Sequence, residues 1–236
     1  MLDSDLDEAL VRDAADDARP ALTIDVFFDF VCPWCLIGKR HLRAALDTIA
    51  GLRPDVRVAV RWRSVPLLPD TPPEGLPYEA FYLARLGSAE AVAARRAQVR
   101  QAGAAAGVEF AFERIAVMPG TLAAHSLVAY AGETLGEAQQ AALVERLFTA
   151  YFVEGENIGD AAVLERQALA SGLPREGLRE HLGDAQRSRH SFMDQALNAY
   201  HGIGSVPHYV LNGAHGISGA HSPDFLVKAM LESIRA

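Results

Sequence analysis

Apolar and polar residues alternate in two stretches of the chain, at residues 22–30 and 55–63. A period of two residues is typical of a β-strand with one buried face. Between them, from about residue 33 to residue 50, apolar side chains recur at helical spacing, and Gly51 is a suitable end for that helix. A strand, a helix and a second strand predict a right-handed crossover unit with parallel strands.

The pattern changes after the second strand. Residues 64–77 contain five prolines, which indicates an extended connector. From residue 78 to about residue 201 the apolar spacing is helical almost throughout, with breaks mainly at glycines. The predicted helices are residues 78–86, 89–106, 121–134, 138–152, 160–171, 175–181 and 184–201.

The last part of the chain returns to strand patterns. Residues 208–211 and 215–219 are short strand segments, and the Asn212-Gly213 pair between them is a strong hairpin signal. A final helix opens at Ser222-Pro223. The order βαβ, helical block, ββα predicts an α/β fold with a large all-helical insertion between its two halves. The predicted divisions are an acidic tail at 1–20, a sheet-containing domain at 21–65 and 202–236, and an inserted helical domain at 66–201.

The charge pattern narrows the choice of partners. The formal net charge is −8, and the seven acidic and two basic residues of 1–20 supply −5 of it, which leaves −3 for the rest. No basic face is indicated, which argues against nucleic acid as a partner. Apolar runs fall short of the ~18 residues of a membrane span, and the N-terminus lacks the pattern of a secretory signal. We expect a cytoplasmic protein whose thiols are mostly reduced.

Cys32 and Cys35 are the only cysteines, and they lie where the first strand gives way to the first helix. A Cys-x-x-Cys at such a junction is typical of a redox motif. The helix N-terminus stabilises a thiolate at Cys32, Cys35 follows one turn later, and Pro33 suits the first turn. The alternatives are two inert buried cysteines or part of a zinc site, although a structural zinc site needs four ligands and this pair supplies two.

Several motifs along the chain carry a family resemblance. They are residues 29–40 (DFVCPWCLIGKR), 60–63 (VRWR), 118–121 (MPGT) with Ala124-His125, 150–155 (AYFVEG), 202–207 (GIGSVP) and 218–223 (SGAHSP). Together they resemble a thioredoxin fold with the helical insertion of the DsbA family. The finer features are similar to its FrnE-type cytoplasmic branch, which is related to 2-hydroxychromene-2-carboxylate isomerases and kappa-class glutathione transferases.

The chain also departs from the family pattern. Gly120 stands where the family usually has Asn, His208 where an apolar or aromatic residue is common, and His221 where Gln is frequent. A second, C-terminal cysteine pair of some FrnE-type proteins is missing from this sequence. The isomerases and transferases have Ser at the position of Cys32, which argues against a purely glutathione-binding isomerase.

The resemblance implies roles for the residues near the cysteines. Cys32 attacks and Cys35 resolves, while Pro33 and Trp34 tune the pair and Trp34 also contacts substrate. Pro207 matches a cis-proline that presents the backbone of Val206 to an extended substrate.

Asp29 and three histidines are further candidates with plainer alternatives. Asp29 precedes Cys32 by three residues and could relay the proton of Cys35, or it could be a solvated acid at a strand end. His125 could lie near the cleft or be an ordinary hydrogen-bonded helix residue. His208 and His221 could influence the thiols if they are close. Arg95 and Arg96 are interpreted as part of a solvated helix face.

The predicted function is thiol–disulfide exchange through a mixed disulfide, in a cytoplasmic oxidoreductase of the DsbA/FrnE type. The redox-active Cys32–Cys35 disulfide is the only cofactor expected, with no metal. The substrate would be a protein or small-molecule thiol or disulfide, with glutathione as a candidate co-substrate. A glutathione-dependent isomerase or transferase and a non-enzymatic binding scaffold are the alternatives. The sequence leaves the substrate, the recycling partner and the oligomeric state open.

Overall fold

The computed structural model describes residues 21–72, 74–178, 182 and 203–235. A four-stranded sheet has the order β2-β1-β5-β6. Strand β1 pairs with β2 in parallel and with β5 antiparallel, and β5 pairs antiparallel with β6. The strands are β1 (Ala21–Phe28), β2 (Arg57–Ser64), β5 (His208–Leu211) and β6 (His215–Ser218). The central position of β1 explains why it is almost completely buried, whereas every residue of the edge strand β2 is partly or fully exposed.

Two helices complete the half of the fold that contains the sheet. Helix α1 (Pro33–Leu52) follows β1, and helix α7 (Pro223–Arg235) closes the described chain and packs against α1. Their apolar stripes meet the sheet in one buried cluster, because both helices present side chains at helical spacing. Its members are Leu22, Ile24, Val26, Leu42, Ala45, Ile49, Tyr209, Leu211, Leu226 and Met230.

A block of helices separates β2 from β5. The helices are α2 (Tyr78–Leu86), α3 (Ala89–Ala105), α4 (Leu122–Leu135), α5 (Glu137–Thr149) and α6 (Ala161–Ala170). Their buried side chains form one cluster with Phe28 and Phe30 at the end of β1 and with both cysteines. The apolar core of the helical block is therefore continuous with the strand-to-helix junction.

Ion pairs also join the two halves. Glu145 of α5 accepts a hydrogen bond from Lys39 Nζ at 2.7 Å and forms an ion pair with Arg40, whose Nη2 lies 2.6 Å from Glu145 Oε1; both cations belong to α1. Burial lowers the pKa of Lys39, although the charge of Glu145 acts against that shift. These contacts hold α1 against the block next to the cysteines.

The α/β fold with a helical insertion is confirmed, and several details differ from the prediction. A two-stranded sheet pairs Leu76–Pro77 (β3) with Val117–Met118 (β4), which no alternation in the sequence indicated because each strand has only two residues. Helix α5 ends in a π-helical turn at Ala150–Glu154 instead of continuing. The predicted tail at 1–20 and the helix at 184–201 lie outside the described residues, as does part of the helix at 175–181. In the described ranges no helix is both long and apolar enough to cross a membrane.

Candidate active site

The two cysteines occupy the turn that connects β1 to α1. Cys32 is the N-cap residue of α1 in extended conformation, and Pro33 is its first helical residue, where a missing N–H costs nothing. The N–H of Cys32 donates to the carbonyl of Asp29 at 3.1 Å, and the N–H of Cys35 donates to the carbonyl of Cys32 at 3.0 Å. Both thiols are free, and Cys32 is 8% exposed against 3% for Cys35. Cys32 thus lies at the outer end of the pair.

Cys35 is held in its protonated form by its surroundings. Burial raises the pKa of the Cys35 thiol well above its ordinary value. Its hydrogen bond with Cys32 and the negative charges of Cys32 and Asp29 raise the pKa further, whereas the backbone N–H of Asp29 lowers it. A thiol that is protonated at neutral pH is a poor first nucleophile, because the thiolate is the attacking species.

The loop before β5 faces Cys32. The Cys32 thiol donates to the carbonyl oxygen of Val206, with an Sγ–O distance of 3.6 Å. The Val206–Pro207 peptide bond is cis, as the resemblance implied. Pro207 also lies against α1, because a Cβ built on Gly38 would come within 3.0 Å of its Cγ. The loop that contains Val206 and Pro207 therefore lies against the cysteine turn and the start of α1.

Asp29 and His125 form a fully buried pair behind the cysteines. Both have 0% exposure, and His125 Nε2 lies 3.0 Å from Asp29 Oδ1. The other carboxylate oxygen accepts from the N–H of Leu67 at 2.7 Å. The interpretation of Asp29 as a solvated acid is wrong, because helix α4 and the proline connector cover the end of β1. His125 is a hydrogen-bonded helix residue, as one alternative held, but its partner belongs to the cysteine turn.

A cavity of about 600 Å³ opens beside Cys32. The cysteine turn contributes Cys32, Pro33 and Trp34, and the loop contributes Val206. The remaining lining comes mainly from α2 and α3 and their surroundings. It consists of Val31, Leu67, Leu68, Tyr78, Phe81, Tyr82, Arg85, Leu86, Val92, Arg95, Arg96, Val99, Phe112 and Met118. Most of this lining was missed in the sequence, because its residues are far from the cysteine motif along the chain.

The arginines of α3 correct one sequence interpretation. Arg95 and Arg96 line the cavity, so they are not only part of a solvated helix face. The guanidinium of Arg95 lies 5.6 Å from the centroid of Trp34, a cation–π distance. The sequence signal that could have found them is their position one turn from both Val92 and Val99, which are apolar and buried.

His208 and His221 have partners elsewhere. His208 Nδ1 lies 2.7 Å from Ser218 Oγ, and its ring packs against Phe27. Burial lowers the pKa of His208. The ring of His221 stacks on Phe225 with a centroid distance of 4.2 Å. Neither histidine lines the cavity, so the structure does not bring them to the thiols as the sequence allowed. Within the described ranges, no cluster of three or more His, Cys, Asp or Glu residues is arranged to hold a metal ion.

Solved structures share this architecture. A probable DsbA oxidoreductase of Streptomyces coelicolor superposes with a TM-score of 0.77 at 24% identity, over 90% of this chain and 89% of that one. The cytosolic disulfide reductase DsbM of Pseudomonas aeruginosa has a TM-score of 0.64 at 21% identity, over 90% and 98%. A 2-hydroxychromene-2-carboxylate isomerase gives 0.64 at 16% identity, over 90% and 96%.

The sequence of this chain matches a known family over most of its length, and it matches no curated protein. The model of the DSBA-like thioredoxin domain matches residues 23–231, which include nearly all of the sheet, the cysteine turn and the helical block. The chain therefore belongs to the DSBA-like thioredoxin domain family.

Proposed function

We propose that this protein is a thiol–disulfide oxidoreductase in which Cys32 attacks and Cys35 resolves. The observation that carries the proposal is the difference between the two thiols. Cys32 borders the cavity at a helix N-terminus, whereas Cys35 is buried with a raised pKa. An attacking thiol at the cavity beside a more deeply buried resolving thiol is the arrangement that two-step exchange requires.

The first step forms a mixed disulfide. The Cys32 thiolate attacks one sulfur of a substrate disulfide, the substrate S–S bond breaks, and one substrate thiolate leaves. The Val206 carbonyl, which accepts from the Cys32 thiol in the resting protein, becomes free when that thiol is consumed. Val206 can then accept a backbone N–H of an extended substrate. Pro33 completes the helix turn and Trp34 offers an apolar contact at the mouth of the cavity.

The second step releases the product. Cys35 loses its proton and attacks the Cys32 sulfur, the second substrate thiolate leaves, and two electrons have passed from the protein to the substrate. Asp29 receives the Cys35 proton in this proposal. The support is that its charge acts on the Cys35 pKa and that its carboxylate is fixed by His125 and Leu67. The Cys32–Cys35 disulfide that results is the redox cofactor, and a dithiol or glutathione would reduce it and so restore the two thiols.

The test is insulin reduction with dithiothreitol, followed by turbidity. We expect catalysis by the wild type, and loss of catalysis with accumulation of a mixed disulfide in Cys35→Ser, since its first step is intact and its second is absent. Cys32→Ser should form no adduct and serves as the control. An active Cys35→Ser variant without adducts would contradict the proposal. Partners trapped on Cys35→Ser in cytoplasmic extract would identify the physiological substrate.

Glutathione-dependent isomerisation is the second candidate. It is favoured by the structural likeness to a 2-hydroxychromene-2-carboxylate isomerase and to DsbM, which has been solved with GSH. An isomerase needs only one polar group beside the glutathione sulfur, so Cys35→Ser would keep its activity. Isomerisation assays with glutathione on wild type and Cys35→Ser therefore separate the two candidates. Retained disulfide exchange that depends on Cys35 would favour the oxidoreductase.

A further inference from the structure

The cavity beside Cys32 has a positive lining in a protein of negative net charge. The charged side chains that line it in the described part of the chain are Arg85 of α2 and Arg95 and Arg96 of α3, whereas the whole chain carries a formal charge of −8. Three cations of the same sign at one concave surface concentrate an anionic ligand there. The charge at the proposed site of exchange is therefore opposite in sign to the net charge of the protein.

The three arginines differ in how far their charge is compensated. Arg96 Nη2 donates to Glu79 Oε1 at 2.7 Å, so its charge is matched by a carboxylate. The guanidinium of Arg95 lies over Trp34 and donates to the neutral amide of Gln98 at 2.7 Å. The guanidinium of Arg85 lies 6.0 Å from the centroid of Phe81, again a neutral group. The described contacts of Arg85 and Arg95 therefore leave their charge for a ligand.

The rest of the lining selects the body of that ligand. Five aromatic side chains line the same cavity as the arginines. They are Trp34, Tyr78, Phe81, Tyr82 and Phe112. Rings give an apolar contact for a flat or aliphatic group, and the Arg fork recognises a carboxylate. A volume of about 600 Å³ falls within the roughly 300–1,000 Å³ of small-molecule sites.

We infer that Arg85 and Arg95 form a carboxylate subsite, and that the cavity takes a low-molecular-weight disulfide with an apolar body and at least one carboxylate. This inference rests on the proposed function, because it places the substrate S–S bond beside Cys32. A carboxylate on the guanidinium groups anchors one end of the disulfide. Its central sulfur is then presented to the attacking thiolate.

The exchange can be followed with two aromatic disulfides of different charge. 5,5′-Dithiobis(2-nitrobenzoate) carries a carboxylate on each ring, and 4,4′-dithiodipyridine is neutral near pH 7. With either probe the Cys32 thiolate breaks the S–S bond and releases one absorbing product, and attack by Cys35 releases the second. The product is the 2-nitro-5-thiobenzoate thiolate from the anionic probe and, after uptake of a proton, 4-thiopyridone from the neutral one. The dithiol becomes a disulfide, and the two electrons pass to the probe. The measured quantity is the rate of the absorbance increase with the reduced protein.

The variants isolate the charge of the subsite. Arg85→Gln, Arg95→Gln and the double variant remove it, whereas Arg95→Lys keeps the charge without the planar group that stacks on Trp34. Arg43→Gln is the matched control, since Arg43 is an exposed cation on α1 that pairs with Asp47 outside the cavity. Each variant is compared with wild type by the ratio of its rates with the anionic and the neutral probe.

We expect the double variant to lower the rate ratio about tenfold, because electrostatic attraction of a charged ligand to a cleft is of this order or larger. Arg95→Lys should retain most of the ratio, and Arg43→Gln should leave it unchanged. Added salt should reduce the wild-type ratio toward that of the double variant.

Two outcomes would overturn the inference. One is a double variant whose rates with both probes, and hence their ratio, are unchanged. The other is an equal loss of rate with both probes, which also leaves the ratio unchanged and would make the arginines a structural support of Trp34. Failure of the proposed function would look different, because wild type would release no more colour than Cys32→Ser with either probe.

Discussion

The thiols of Cys32 and Cys35 differ because of where each stands relative to the helix start. The spacing in the sequence predicted this order of roles, since the first cysteine of the motif falls at the helix N-terminus. The sequence did not predict that Asp29 would be buried beside Cys35, because its cover comes from residues that are remote along the chain. Burial by distant segments is a tertiary property that local alternation does not encode.

The raised pKa of Cys35 predicts how the reduced protein responds to alkaline pH. The unfolded thiol ionises near its ordinary pKa of about 8.5, while the folded thiol stays protonated to a higher pH because of its burial. The stabilisation is therefore complete below that unfolded pKa and is lost as pH rises through the folded pKa. We expect the free energy of unfolding of the reduced protein to fall as the pH rises above about 8.5.

Urea unfolding of reduced wild type and Cys35→Ala across this range measures the effect. The variant should lack the part of the slope that belongs to Cys35. Burial lowers the pKa of Lys39, and this contribution is common to both proteins. Burial also raises the pKa of Tyr209, to which the charge of Cys35 adds, so the variant also loses that part of the Tyr209 contribution. Parallel pH profiles for the two proteins would contradict the assignment.

Helix α1 contains one glycine that is closely packed against other residues and one with open space around it. A Cβ on Gly38 would clash with the hydroxyl of Tyr209 and lie 3.0 Å from Pro207 Cγ. A Cβ on Gly51, in the same helix, would meet nothing within 4 Å. The sequence predicted the helix and the proximity of the Pro207 loop, but it could not predict which glycine is a contact, because that depends on the distance between α1 and β5.

Gly38→Ala should destabilise the protein by about 1–3 kcal/mol, as expected when a methyl group is forced into a packed site. It should also slow exchange, because α1 and the loop that faces Cys32 must move apart. Gly51→Ala should instead stabilise the protein by up to about 1 kcal/mol through helix propensity. Thermal unfolding and insulin reduction on both variants provide the check. Equal effects of the two substitutions would show that the contact at Gly38 is unimportant.

At the scale of the whole molecule, the two halves share a core and a buried polar pair. Phe28 and Phe30 of the sheet side belong to the same apolar cluster as the helical block. The pair of Asp29 and His125 crosses the same boundary. The order of elements in the sequence predicted that an insertion exists. Whether the insertion supplies a partner to the cysteine turn was left open, because His125 was interpreted either as a residue near the cleft or as an ordinary helix residue.

His125→Leu should therefore lower the free energy of unfolding, although His125 is far from both cysteines along the chain. It removes the donor at Asp29 Oδ1 and leaves a buried carboxylate oxygen unsatisfied, which costs about 1–3 kcal/mol. His125→Gln offers an amide N–H in place of the ring and should recover part of the loss. The readouts are the unfolding free energy and the rate at which the mixed disulfide is resolved. An unperturbed resolution rate in His125→Leu would separate the pair from the proton of Cys35.

The Asp29–His125 contact also limits which parts of this fold can be deleted or transferred to another protein. A shortened protein without α4 would retain a carboxylate that was placed for a partner no longer present, and an unpaired buried charge costs several kcal/mol. Grafting the helical block onto another thioredoxin-like scaffold has the converse problem, since it would bring a histidine without its acid. Exchanging both residues together for apolar ones of similar shape can be nearly neutral. Redesign that removes or exchanges parts of this fold should therefore keep or replace residues 29 and 125 together.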